Sequence, residues 1–234
     1  MKALVLAGGL GTRLKQRVPD LPKPMAPIAG RPFLEYILDR LILGGITEII
    51  LSVGYRADVI TSHFKDVYKN TKITYAIESE PLGTGGAIAN ALSGLNVNNI
   101  LIVNGDTLVN LDYSNLIKWY LATPDSIAIV LKEISDINRY GSIIVNEGII
   151  TGFHEKGQTG HGLINAGVYL ISTSIFNNYS LNGSFSLERD ILQKNCSILC
   201  ARAFITNSYF IDIGIPDDYE KAQYELPKLI PLYN

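Results

Sequence analysis

Ala3-Leu4-Val5-Leu6-Ala7 is an uninterrupted apolar run that stops at Gly8-Gly9. A strand with one wet face alternates apolar and polar residues, whereas a short continuous run suits a strand covered on both faces, as in a parallel α/β sheet. Similar runs recur at Thr47–Val53 and Asn99–Asn104, and Lys72–Ile77 reads as a further strand. Between them lie segments of helical pattern: Phe33–Leu43, ended by Gly44-Gly45, then Ala57–Val67, Gly83–Leu95 and Tyr113–Ala122, the last with Asp112 placed to cap it. This β-α-β-α rhythm predicts an α/β fold with a right-handed parallel sheet. From Ser126 the pattern changes. Ser126–Leu131, Gly141–Asn146 and Ile149–His154, the last two joined at Glu147-Gly148, predict an antiparallel meander. Ile164–Ile171, Ile198–Ile205 and Tyr209–Ile213 read as strands, and Leu187–Gln193 and Pro216–Leu226 as helices, the last with proline in its first turn.

A chain of 234 residues with this rhythm predicts one domain with ample core. Charged residues make up 18% and the net charge is −2, which argues against a nucleic-acid surface and for a local basic pocket. No apolar stretch is long enough to span a bilayer and no signal pattern opens the chain, so neither membrane nor export is expected and the protein should be cytoplasmic. Cys196 and Cys200 are too few for a structural zinc site and lie in an apolar stretch, so they read as packing thiols.

Gly8-Gly9-Leu10-Gly11-Thr12-Arg13 leaves the first strand at once. Its glycines let successive N–H groups converge on an anion, Arg13 adds a planar charged fork, and Lys23 follows in Leu21-Pro22-Lys23-Pro24-Met25. The loop is neither the G-x-G-x-x-G dinucleotide fingerprint nor a Walker loop ending in Gly-Lys-Ser/Thr. Asp106 stands just past a buried strand, where ligands of open α/β sheets collect, although a strand-ending Asp also makes turns and caps. Asp212 is flanked by apolar residues in Phe210-Ile211-Asp212-Ile213-Gly214, where a carboxylate without a cation is costly. Two such carboxylates with phosphate oxygens form the kind of ligand set magnesium prefers. The glycines in Glu78-Ser79-Glu80-Pro81-Leu82-Gly83-Thr84-Gly85-Gly86 allow backbone approach to a flat base or sugar, or the segment is a solvated acidic turn. Glu155-Lys156 in isolation matches a surface ion pair equally well. No role falls to His154 or His161.

The stretch from Leu6 through Pro22-Lys23-Pro24-Met25 to Gly30-Arg31-Pro32, with the later motifs in order, resembles the sugar-1-phosphate nucleotidylyltransferases over nearly the whole chain. That resemblance implies a Rossmann-like, mainly parallel central sheet with helices on both faces and an antiparallel sugar-binding subregion. It implies one domain, 1–234, with 1–125 mainly nucleotide-binding and 126–234 mainly sugar-binding. Its catalytic set would be Arg13, Lys23, Asp106 and Asp212, with Mg2+ held by Asp106 and Asp212. The nucleotide would meet Leu6, Gly8, Gly9, Gly11, Thr12, Arg13, Lys23, Glu78, Glu80, Gly83, Thr84 and Asp106. The sugar phosphate would meet Asn104, Gly141, Glu155, Lys156 and Asn165. Larger members carry a C-terminal hexapeptide β-helix, and the short stretch after Asp212 leaves no room for that second activity.

Within the family, the compact form with Leu21-Pro22-Lys23-Pro24-Met25, Glu80-Pro81-Leu82-Gly83-Thr84-Gly85-Gly86 and Glu155-Lys156-Gly157 most resembles the D-glycero-D-manno-heptose 1-phosphate guanylyltransferases, with GDP-mannose pyrophosphorylases close behind. The implied partners are GTP and a sugar 1-phosphate, and a homo-oligomer is left open. Two other classes compete. A glycosyltransferase of related architecture also places aspartates on a nucleotide sugar, but lacks the glycine loop and releases no pyrophosphate. A nucleotide-sugar sensor has little reason to keep both aspartates with Arg13 and Lys23.

Overall fold

The computed structural model describes all residues except 10, 12, 13, 15, 16, 124, 125, 179–182 and 231–234, and of the described residues all side chains but those of 177 and 178. β1 (Lys2–Leu6) is followed by a 3-10 turn, Lys23–Met25, a small ribbon of β2 (Pro27–Ile28) and β3 (Arg31–Pro32), and α1 (Phe33–Leu43). Then come β4 (Glu48–Val53), α2 (Ala57–Phe64), β5 (Val67–Tyr68), β6 (Thr71–Ile77), α3 (Gly83–Leu92), β7 (Asn99–Asn104), β8 (Thr107–Val109) and α4 (Tyr113–Leu121). The rest contains β9 (Ile127–Ile134), β10 (Ser142–Asn146), β11 (Ile149–His154), β12 (Gly162–Ser172), a π-helical segment Leu187–Gln193, α5 (Cys196–Leu199), β13 (Arg202–Thr206), β14 (Phe210–Asp212) and α6 (Pro216–Leu229).

The main sheet runs β10-β11-β13-β9-β12-β7-β1-β4-β6-β5. β7, β1, β4 and β6 are mutually parallel, and their continuous apolar sequences feed cores on both faces. Ala3 and Val5 pack with Phe33, Leu34, Leu116 and Leu226 on one face. Leu4 packs with Ile88, Leu187 and Ile191 on the other. The expected α/β architecture with helices on both faces is therefore present. Asp112 caps α4 as expected, its Oδ1 accepting the Asn115 N–H at 3.0 Å.

Three local expectations are corrected. The predicted meander is not one: β10 and β11 form the hairpin across Glu147-Gly148, but β9 is separated from them by β13, which lies parallel to β9. The helix from Ala57 stops at Phe64, because Lys65 turns to φ 52° and the chain re-enters the sheet through a tight turn at Lys69 and Asn70, both at positive φ. The strand expected from Ile198 starts at Arg202, since Cys196–Leu199 forms a helical turn ended by Cys200 at φ 44°. Cys196 packs against the core as expected, whereas Cys200 is exposed. Among the described residues no helix is long and apolar enough to cross a membrane.

Candidate active site

The parallel strands deliver Leu6, Val53, Ile77 and Asn104 to one rim, and a cleft of about 420 Å³ opens there. Its lining includes Leu6, Gly8, Gly9, Gly11, Lys23, Glu78, Gly83, Thr84, Asn104 and Asp106, so ten of the residues expected on sequence grounds meet in it. Thr12 and Arg13 lie outside the described residues.

Asp106 follows β7 directly. Asp212 reaches it from far along the chain because β14 pairs antiparallel with β8 and sets Asp212 opposite Thr107, while the Ile213 N–H donates to the Asp106 carbonyl at 3.1 Å. Lys23, fixed in its turn between Pro22 and Pro24, closes the group. Its Nζ donates to Asp106 Oδ2 at 2.7 Å and to Asp212 Oδ1 at 3.4 Å. The lysine side chain is only 9% exposed, against 41% for Asp106 and 29% for Asp212, so the cation is buried while both carboxylates stay partly exposed; Asp106 lines the cleft, and Asp212 stands behind Lys23 and Gly214, which line it. A buried ammonium needs such partners. Thr107 Oγ1 donates to Asp106 Oδ1 at 3.1 Å and the Gly214 N–H to Asp212 Oδ1 at 2.7 Å, which orients both acids.

The glycine loop earns its composition by close approach. A Cβ at Gly8 would meet Glu78 Oε1 at 2.5 Å, and one at Gly11, itself at φ +56°, would meet Lys23 Cβ at 2.7 Å. Glu78 is thereby held over the loop: Oε1 accepts from Ser52 Oγ at 2.9 Å and Oε2 from the Leu82 N–H at 3.3 Å. Glu80 is exposed and outside the lining. Gly83 lines the cleft, while two further glycines of α3 are packed against the chain itself. Gly85 lies under the Phe185 ring, and the Gly85 and Gly86 N–H groups both donate to the Phe185 carbonyl, at 3.0 and 3.3 Å. The close approach there is to the chain's own aromatic side chain.

On the other side of the cleft, Asn104 Oδ1 is buried and has no hydrogen-bond partner among the described residues. Gly167 of β12 packs against the Asn104 side chain, and Asn165 precedes it, with Oδ1 accepting the Gly167 N–H at 2.9 Å. Gly141 sits beside the His154 carbonyl, and its neighbour Arg139 is ion-paired with Asp218 at the start of α6. Glu155 and Lys156 are exposed beyond the end of β11 and do not line the cleft. Sequence reasoning missed Ser52, Thr107 and Glu188. Each acts by holding another residue of the site, and no local motif marks such a partner.

Residues 2–228 match the model of the nucleotidyl transferase family. The chain belongs to that family. It is 44% identical over 230 residues, 98% of this chain and 100% of the relative, to D-glycero-α-D-manno-heptose 1-phosphate guanylyltransferase of Aneurinibacillus thermoaerophilus. To the enzyme of the same name from Campylobacter jejuni it is 47% identical over 220 residues, 94% of this chain and 97% of that one. The fold matches the crystal structure of HddC from Yersinia pseudotuberculosis in complex with GMP-PN, with a TM-score of 0.85, 41% identity, and coverage of 96% of this chain and 99% of that one. Enzymes of the family generally use a divalent metal.

Proposed function

We infer that this chain transfers the guanylyl group of GTP to D-glycero-α-D-manno-heptose 1-phosphate and releases pyrophosphate, acting in the cytoplasm. The observation that carries the chemistry is the convergence of Asp106 and Asp212 on one cation position in the cleft, where the Lys23 ammonium stands between them. The choice of substrates rests on the full-length similarity to heptose 1-phosphate guanylyltransferases and to a protein crystallised with GMP-PN.

A sugar phosphate has its second pKa near ~6 and is mostly dianionic at neutral pH, so its attack on the α-phosphorus needs no general base. The protein's task is to bring two anions together in line and to balance charge on the departing pyrophosphate. Lys23, at the loop, and Arg13 are assigned to the triphosphate. Two hard carboxylates meeting at one cation position fit magnesium, and Asp106 and Asp212 would hold it. When bound there, that ion supplies further neutralisation of the phosphates.

The nucleotide falls to residues 1–125, with Leu6, Gly8, Gly9, Gly11 and Thr12 under the phosphates and Gly83 and Thr84 beside the base. Glu78 is assigned to guanine, whose N1–H and N2–H₂ form adjacent donors that a carboxylate accepts, with Glu80 in reserve. The sugar phosphate falls mainly to residues 126–234. Asn104, whose Oδ1 has no partner among the described residues, and Asn165 are assigned to the sugar hydroxyls with the Gly141 backbone, and Glu155 and Lys156 to a hydroxyl and the phosphate.

The test is a grid of GTP, UTP and dTTP against heptose, mannose and glucose 1-phosphates with pyrophosphate detection. The GTP and heptose pair should give the highest kcat/KM. A higher value with mannose 1-phosphate would move the chain to the mannose guanylyltransferases, and no pyrophosphate from any pair would overturn the enzymatic reading.

A further inference from the structure

Glu188, on the segment Leu187–Gln193 that packs across α3, takes three hydroxyl protons. Tyr169 Oη donates to its Oε1 at 2.7 Å, and Thr84 Oγ1 and Ser186 Oγ donate to its Oε2 at 2.7 and 2.8 Å. Thr84 lies in the first turn of α3, in the lining of the cleft, and also accepts the Leu187 N–H at 2.9 Å. Tyr169 and Asn165 both lie on β12.

The direction of these hydrogen bonds matters. A tyrosine hydroxyl carries one proton, and Tyr169 gives it to Glu188, so its oxygen can only accept. It accepts from Asn165 Nδ2 at 2.9 Å, and Asn165 Oδ1 accepts the Gly167 N–H. Turning the Asn165 amide over would set its oxygen against the Tyr169 oxygen and its NH₂ against the Gly167 N–H, two repulsive contacts in place of two bonds. Tyr169 is fully buried, and burial together with the neighbouring Glu188 charge pushes its hydroxyl well above the ordinary tyrosine range, so the proton stays in place. The donor and acceptor that Asn165 has left over are thus fixed jointly by the Gly167 N–H and, through Tyr169, by a carboxylate Asn165 does not touch.

We propose that Glu188 is a positioning residue: through Tyr169, and together with the Gly167 N–H, it fixes the hydrogen-bonding face that Asn165 offers the sugar 1-phosphate, and through Thr84 it ties that strand to the start of α3. The inference rests on the assignment of Asn165 to the sugar side.

Steady-state kinetics with GTP and heptose 1-phosphate test it. Tyr169→Phe keeps Thr84 anchored but removes one of the two bonds that hold the Asn165 amide, leaving the Gly167 N–H alone to orient it, so it should raise KM for the sugar phosphate about tenfold with KM for GTP unchanged. Glu188→Gln cannot accept all three hydroxyls and should raise both KM values. The double variant should raise the sugar-phosphate KM no further than the larger single change, because both lie on one relay. A general loss of packing would lower the melting temperature without this KM pattern. A wild-type sugar-phosphate KM in Tyr169→Phe, or additive effects in the double variant, would overturn the relay. Asn165→Ala separates the two failures. If it raises the sugar-phosphate KM while Tyr169→Phe does not, the relay alone is wrong; if it leaves that KM unchanged, the assignment of Asn165 falls and the inference with it.

Discussion

Three side chains, Lys23, Asp106 and Asp212, form one charged cluster at the edge of the cleft, and their arrangement makes separate demands on each. Asp106→Asn and Asp212→Asn should each lower turnover by about two to three orders of magnitude, the scale of losing one preorganised electrostatic group. Near-normal kcat at saturating magnesium would remove that acid from the site. Lys23 holds both carboxylates with its own charge, so Lys23→Met should bind Mn2+ without nucleotide more tightly than the wild type, by on the order of tenfold or more, as a unit charge a few Å away implies. Electron paramagnetic resonance of free Mn2+ reads this directly, and equal affinities would show that the ammonium does not compete for that position. At Glu78 the carboxylate already accepts from Ser52 and the Leu82 N–H, which fixes its orientation over Gly8. Glu78→Gln places an amide nitrogen against a guanine donor and should reduce the ratio of kcat/KM for GTP over UTP. An unchanged ratio would leave guanine to backbone groups.

The segment Leu187–Gln193 is the element the site depends on most indirectly, because it carries Glu188 to Thr84 and Tyr169. Its start is secured reciprocally: the Arg189 N–H donates to Ser186 Oγ at 3.2 Å and the Ser186 N–H to Asp190 Oδ2 at 2.8 Å. That backbone bond, followed by the Lys194 ammonium, holds the Asp190 carboxyl well below its ordinary range. A group whose folded pKa is depressed contributes stability above its unfolded value, near ~4, and loses it as pH falls toward the folded value. Asp190→Asn should therefore melt below the wild type at pH 7, with the gap closing as pH is lowered below about 4. A gap that stays constant between pH 7 and pH 3 would mean that the carboxylate charge is not what anchors the segment. Elements of this kind were partly legible. Leu187–Gln193 was expected as a helix with these bounds, but nothing local to it shows that the glycines of α3 are spaced to receive Phe185 beside it.

Across the whole molecule, the antiparallel pairing of β12 with β7 joins the parallel strands to the later ones in a single sheet, and both cores draw side chains from each part. Calorimetry should accordingly show one unfolding transition with equal calorimetric and van't Hoff enthalpies, and two resolved transitions would make 1–125 and 126–234 separate folding units. The sequence by itself determined which segments are buried on two faces. The runs at β1, β4 and β7 have no polar alternation to spare for solvent, and Phe33–Leu43 carries a helical stripe ended by Gly44-Gly45. It also supplied Lys23, Asp106 and Asp212 as chemical types at strand and turn ends. Only the tertiary structure decided which of them meet. Asp212 comes beside Asp106 through the β8 and β14 pairing, β13 displaces the expected meander, and Glu188 meets Thr84 from 104 residues along the chain. Periodicity records the face a residue turns to the core, a local property of a strand or helix. Partner choice between strands is set by contacts between segments distant in the chain, and no short stretch of sequence contains both sides of such a contact.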